Sequence, residues 1–219
     1  MQPVYQYNLN TNNAKQVGVA ARINEKGSYK GVFTRAEFVQ SDKGTQGIEF
    51  AFKAESGQTA DYLTVWTVSA DGKELYGRKV IDALMTCLSL RTIAAKTAQI
   101  KKYDPQARQE VMVQATVFPE LMNKPIGLLL VREEYQKNNG TTDWKMTIVG
   151  CYEPNKLITP KEILEQSGPG QLAKMIAVLQ DRPLKNKPAP QQHHQAGGHA
   201  DFSYGQGGND HMDDDIPFN

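Results

Sequence analysis

The side chains best placed for chemistry in this sequence suit recognition more than bond breaking. The last residues run Met212-Asp213-Asp214-Asp215-Ile216-Pro217-Phe218-Asn219. Phe218 can fill an apolar pocket on another protein, and Ile216 adds apolar area beside it. Pro217 stiffens the peptide before it and lowers the cost of ordering. Asp213, Asp214 and Asp215 would steer the segment toward a basic rim and speed encounter. A merely solubilising acidic end has no use for Ile-Pro-Phe. Catalytic constellations are harder to find. All four histidines, His193, His194, His199 and His211, fall in the final stretch, so residues 1–192 lack the commonest general base and metal ligand. His193-His194 reads as a solvated polar tract before a metal site. Asp82, Glu110 and Glu120 have no spacing that forces a metal pair. The Gly197-Gly198 and Gly205–Gly208 clusters have neither the preceding strand nor the following Lys-Ser/Thr of a phosphate loop. Cys87 and Cys151 are far apart in sequence, form no CxxC pair and suggest neither zinc nor a disulfide framework. The expectation is a non-enzyme without cofactor or metal; chemistry by carboxylates or Lys stays open.

A second constellation pairs aromatic rings with cations. Tyr29, Phe33, Tyr62 and Trp66 are candidate stacking platforms, with Phe50, Tyr135 and Trp144 behind them. Lys30, Arg35, Lys53, Arg132 and Lys145 are candidate phosphate contacts. Stacking faces along a cationic track are what sequence-tolerant binding of a single nucleic-acid strand requires. Tyr29, Phe33 and Arg35 share strand parity and would project to one face. Trp66 shares parity with Tyr62 and Thr64. Lys96, Lys101 and Lys102, near Tyr103, form a second basic patch that could clamp a phosphate backbone. The competing reading is core packing for each ring and plain solvation for each cation. No base-reading motif is visible.

Charge points the same way. The 219 residues carry 25 Lys and Arg against 24 Asp and Glu, a net charge of +1. From Pro188 onward there is no Lys or Arg but there are five Asp, which leaves 25 basic and 19 acidic side chains in residues 1–187. A mildly basic body with an acidic tail fits a nucleic-acid binder.

These side chains need elements to hold them. Residues 1–27 are polar and read as an arm or edge strand. Tyr29–Val39, Ile48–Lys53 and Tyr62–Val68 are rich in aromatic and β-branched residues and read as three strands separated by turn clusters. Val80, Ile81, Leu84, Met85 and Leu88 recur at helical spacing across Arg78–Arg91, with Cys87 on the apolar side. Residues 92–125 read as an insertion, with an extra strand near Val111–Phe118. Ile126–Glu134 and Trp144–Tyr152 form a hairpin around Lys137-Asn138-Asn139-Gly140-Thr141. A short helix starts after Thr159, with Pro160 first, and another covers Gln171–Gln180. Three strands, a helix and a hairpin are the order of a five-stranded OB-fold barrel with its helix between strands three and four. A generic α+β sheet is the rival. The domain is expected over residues 28–182. Residues 183–211, rich in Pro, Gln and Gly, cannot bury enough apolar surface to fold and read as a disordered linker with a reach of roughly 30 Å.

The terminal segment closely resembles the acidic tip of bacterial single-stranded DNA-binding proteins, which also follows a Gly/Gln/Pro-rich linker. The resemblance covers residues 212–218 closely and the last thirty or so in style. The body is more similar to a single-stranded DNA-binding protein encoded by a bacteriophage. The resemblance implies that the chain coats single-stranded DNA in replication, recombination and repair and recruits partner enzymes through Asp213–Phe218. It departs at Asn219: in the family the chain ends at Phe, and the resemblance implies an α-carboxylate at that position that meets a basic partner residue. No apolar run of membrane-spanning length and no secretory signal is present, so the cytoplasm of a bacterial host cell is the expected setting. A homo-oligomer is compatible with this reading. Two rivals remain: a tip-bearing decoy or adaptor that captures host replication enzymes without touching DNA, and a carboxylate-dependent nuclease.

Overall fold

The computed structural model describes residues 8–11, 21–104 and 106–184. Residues 185–211 of the expected linker and the acidic tip lie outside them, as do the four histidines, whereas Leu184 N–H donates to Glu134 Oε2 at 3.2 Å. Seven strands form one antiparallel sheet. They are β1 (Gly27–Gln40), β2 (Gln46–Ala54), β3 (Thr59–Val68), β4 (Lys96–Asp104), β5 (Gln109–Val117), β6 (Pro125–Gln136) and β7 (Thr142–Tyr152). Helix α1 (Tyr76–Cys87) follows β3, a 3-10 turn (Pro119–Leu121) follows β5, and α2 (Pro160–Leu164) and α3 (Gln171–Ala177) close the described chain. The chain is thus mainly β, with a helix after the third strand as its periodicity predicts. The insertion holds a full hairpin, β4–β5, of which only the second strand is evident from sequence.

Strand β1 is the spine. One edge pairs along most of its length with β2, from Gly31↔Ala54 to Gln40↔Gln46. The other edge is shared: β6 takes residues 27–32, and β5 meets β1 at Glu37↔Val117. The neighbour order is therefore β3-β2-β1-β6-β7, with β5-β4 branching from the far half of β1. Strands β3 and β7 approach each other with α1 packed against both. No hydrogen-bonded ladder joins them among the described residues. The sheet is open at that seam.

Register shifts decide which side chains reach the core. In β1 the pairing passes from Phe33↔Phe52 to Arg35↔Ala51, so Thr34 is an extra residue. Such a bulge turns the strand over. Phe33 points inward before it and Ala36 after it, while Arg35 and Glu37 take the outer face. The parity argument that placed Phe33 and Arg35 together is corrected by this one residue. The core gathers Phe33, Phe50 and Phe52 with Leu63, Leu84, Leu121, Ile126, Leu128 and Leu130. Phe33 and Phe50 have ring centroids 4.4 Å apart, and Phe52 meets Phe33 edge-on at 5.9 Å. Each such side chain contributes about 1.5–3 kcal/mol on burial. Helix α1 buries Ile81, Leu84 and Cys87, with Val80, Met85 and Leu88 packed at the margin. Cys87 Sγ lies 3.7 Å from Cys151 Sγ, so two thiols distant in sequence meet inside the core. Their shared hydrogen bond, followed by burial, holds the Cys151 thiol well above its ordinary range.

The packed body starts earlier than residue 28. Ile23 is 2% exposed in the core, and Ile23 N–H donates to the Thr59 carbonyl at 2.7 Å. At the other end Arg182 bridges to Glu133 in β6. Local chemistry behaves as the sequence predicts at two termini. Gly140 takes a φ of +80° in the β6–β7 turn. Thr159 and Glu162 form a reciprocal capping box with Pro160 in the first turn of α2.

Tyr152 lies flat on Gly127, its partner across the β6–β7 ladder, and receives a 2.8 Å hydrogen bond from Ser28 Oγ. A Cβ on Gly127 would come within 2.2 Å of the Tyr152 ring. Gly127→Ala is expected to lower stability by about 1–3 kcal/mol through overpacking, read as a fall in the urea midpoint at constant m-value.

Candidate nucleic-acid interface

A second bulge shapes the outer face. In β3 the pairing jumps from Phe52↔Ala60 to Phe50↔Leu63, leaving one residue extra at Asp61–Tyr62. Ala60 and Leu63 both stay in the core, and Tyr62 absorbs the mismatch in the left-handed region, at φ +59°. That conformation costs a bulky L-residue about 1–2 kcal/mol. Its consequence is a tyrosine ring aimed off the sheet, 51% exposed. The β4–β5 hairpin stands opposite and presents Tyr103, 52% exposed. Between them runs a groove of about 600 Å³, with Met122, Arg22, Arg35 and Lys101 in its lining. Asp61 and Glu110 also line it, so the cationic track is interrupted.

Beneath the groove four charged side chains share one partly buried cluster. Arg35 Nη2 donates to Glu49 Oε1 at 2.7 Å, and its Nε lies 3.6 Å from Glu37 Oε2. Lys102 Nζ reaches across from β4 to both Glu37 oxygens at 3.2 Å. Burial raises the Glu49 carboxyl above its ordinary range, against the lowering pull of Arg35. Arg35 is therefore already engaged by two carboxylates and is not a spare phosphate contact. Its Nε is a buried side-chain nitrogen without a hydrogen bond among the described residues.

The other expected binding residues do not converge on one surface. Phe33 is wholly buried and cannot stack on a base, because the Thr34 bulge leaves it inward. Trp66 is half-buried on the outer face, with its ring edge against Gly47, where a Cβ would lie 2.9 Å from Trp66 Cε3. Tyr29 is half-buried, and its hydroxyl donates to the Glu25 carbonyl at 2.8 Å. Tyr29 and the exposed Lys30 border a different depression, near Tyr152 and Leu172. Lys53 is exposed on β2. Arg132 and Lys145 lie on the far half of the β6–β7 hairpin. There the Arg132 guanidinium sits 4.8 Å above the Trp144 ring, its Nε donates to the Asn24 carbonyl, and Lys145 pairs across from Glu133. Asp213, Asp214, Asp215, Ile216, Pro217 and Phe218 lie outside the described residues.

The groove thus unites Arg35 and Tyr62 from the expected set with the Lys101–Tyr103 patch, and adds Arg22 and Met122. Tyr103 beside Lys101-Lys102 is a signal visible in the sequence, although its ring does not stand out as a stacking platform there. Arg22 lies in a segment that reads as an arm, so its place beside Thr59 is a tertiary fact. Among the described residues no cluster of three or more His, Cys, Asp or Glu could hold a metal ion. No described helix is long and apolar enough to cross a membrane. No protein-family model and no curated protein sequence matches this chain.

The strain at Tyr62 inverts the usual ranking of small residues. Tyr62→Gly is expected to be more stable than Tyr62→Ala by about 1 kcal/mol, because only glycine takes positive φ freely; thermal melts of the two variants check the order. Glu49 sets a pH dependence. A carboxyl whose pKa is higher folded than unfolded contributes stability that is fully present below the unfolded pKa and lost as pH rises through the folded one. The native chain should therefore gain stability relative to Glu49→Gln as the pH falls from about 7 to about 4.5, and urea midpoints for both proteins read the sign.

Proposed function

We propose that this chain is a non-catalytic, sequence-independent single-stranded DNA-binding protein that docks replication, recombination and repair enzymes through its acidic tip. One juxtaposition carries the DNA part: two half-exposed tyrosines, Tyr62 and Tyr103, face one groove from opposite walls with Arg22 and Lys101 beside them. Bases stack on such rings whatever their identity, and cations track the phosphates. The strand order β3-β2-β1-β6-β7, with α1 between the third strand and the rest, supports an OB-type barrel with an open β3/β7 seam and β4–β5 as an added wall. The docking part rests on the likeness of Asp213–Phe218 to the bacterial tip. A bacteriophage origin and a bacterial cytoplasm accord with both.

Titration of the full chain into labelled oligo-dT tests this reading. Binding should weaken with salt at a log–log slope of about −0.7 per phosphate contacted. Tyr103→Ala should weaken binding roughly 5- to 150-fold, the size of one stacked base, and leave that slope unchanged. Lys101→Ala should make the slope shallower by about 0.7. No retention of the oligonucleotide at low salt would sink the DNA reading. Capture of a replication enzyme in the same sample would then favour the decoy, and magnesium-dependent cleavage would favour a nuclease.

A further inference from the structure

We infer that Lys102 and Glu37 form a latch that sets the stance of the β4–β5 hairpin, making Lys102 a positioning residue of the groove rather than a phosphate contact. This deepens the proposed single-strand site and rests on that reading for its effect on DNA.

The hairpin is weakly tied to the body. Among the described residues strand β4 pairs only with β5, and the backbone links at the hairpin's root are the Glu37↔Val117 bridge and the Phe118 N–H donating to the Ala36 carbonyl at 2.9 Å. Of the described hairpin side chains only Ile100 and Val117 are buried. Val117 sits at the root, and Val111 and Val113, on the Ile100 face, are only half-buried, so apolar packing on the wall that carries Lys101 and Tyr103 is thin. The ion pair supplies the further tie. Lys102 Nζ is 3.2 Å from both Glu37 oxygens and joins β4 to β1 beneath the groove. Glu37 is 8% exposed, so its charge is poorly screened by solvent and needs a counter-charge. Arg35 cannot supply it alone, since its shorter contact goes to Glu49.

Two roles for Lys102 make opposite predictions for Glu37→Gln. As a phosphate contact held back by a carboxylate, Lys102 would be freed, and a more positive groove would bind single-stranded DNA more tightly. As a latch, it would lose its anchor, the Tyr103 wall would drift from Tyr62, and binding would weaken although the protein had gained positive charge. The latch predicts about five- to tenfold weaker oligo-dT binding for Glu37→Gln, the scale of one partly buried ion pair. The salt slope should stay unchanged, because no phosphate contact is removed. Lys102→Arg should retain wild-type affinity, and Lys102→Met should match Glu37→Gln.

Hydrogen exchange of the full chain without DNA supplies the independent reading. Glu37→Gln and Lys102→Met should speed exchange of the 96–117 amides about tenfold while β6 and β7 stay as protected as in wild type. Equal or tighter DNA binding by Glu37→Gln overturns the latch. Unchanged exchange at 96–117 also overturns it, and so does equal loss of protection across the whole sheet. Failure of the wild-type chain to bind oligo-dT sinks the proposed function, and the exchange result then decides the latch by itself.

Discussion

The bulge at Thr34 is the constraint on which the rest of the chain depends. Before it, β1 sends Phe33 inward to Phe50 and Phe52, and its outer edge carries β6. After it, the strand has turned over, Ala36 takes the core position, and Arg35 and Glu37 face outward under the β4–β5 hairpin. Without the extra residue the parity of β1 would drive a guanidinium and a carboxylate into an apolar core, which costs several kcal/mol per ion. One inserted residue thus lets a single strand serve a hydrophobic core along one half and a charged outer face along the other.

The outer face shows the converse balance. Arg35, Glu37, Glu49 and Lys102 are partly withdrawn from water, and burial acts on Glu49 more strongly than its neighbouring cations do. A cluster of this kind adds little net stability compared with apolar packing of equal volume, but it is geometrically demanding. Tyr62 contributes a second local cost, a left-handed backbone held in place because Ala60 and Leu63 on either side are locked in the core. Such costs persist where the surroundings over-determine them, and binding surfaces are a common place to find them.

Much of the fold was legible in the sequence. Strands β1, β2, β3, β6 and β7, helix α1, the Gly140 turn and the Pro160 start of α2 follow from periodicity and turn chemistry, because those signals are local. Strand β4 was not, since Lys96–Asp104 mixes cations with few apolar residues and becomes a strand only by pairing with β5. The candidate site was legible in part. Tyr62, Arg35 and the Lys96–Lys102 patch carry visible signals, whereas Phe33 was misplaced by a bulge that has no sequence signature at Thr34. The approach of Cys87 to Cys151 was equally hidden, because it depends on how α1 lies over β7.

The sequence by itself determined the element order, the basic body, the acidic tip and the aromatic content, all properties of neighbouring residues or of composition. Only the tertiary structure decided which aromatics face solvent. A single extra residue in β1 lets Phe33 stay buried while Arg35 faces outward, and another in β3 exposes Tyr62, because side-chain direction in a strand alternates with a period of two and each bulge resets it. Tyr62 and Tyr103 come to line one groove through strand pairing across the chain, an arrangement that no local pattern encodes.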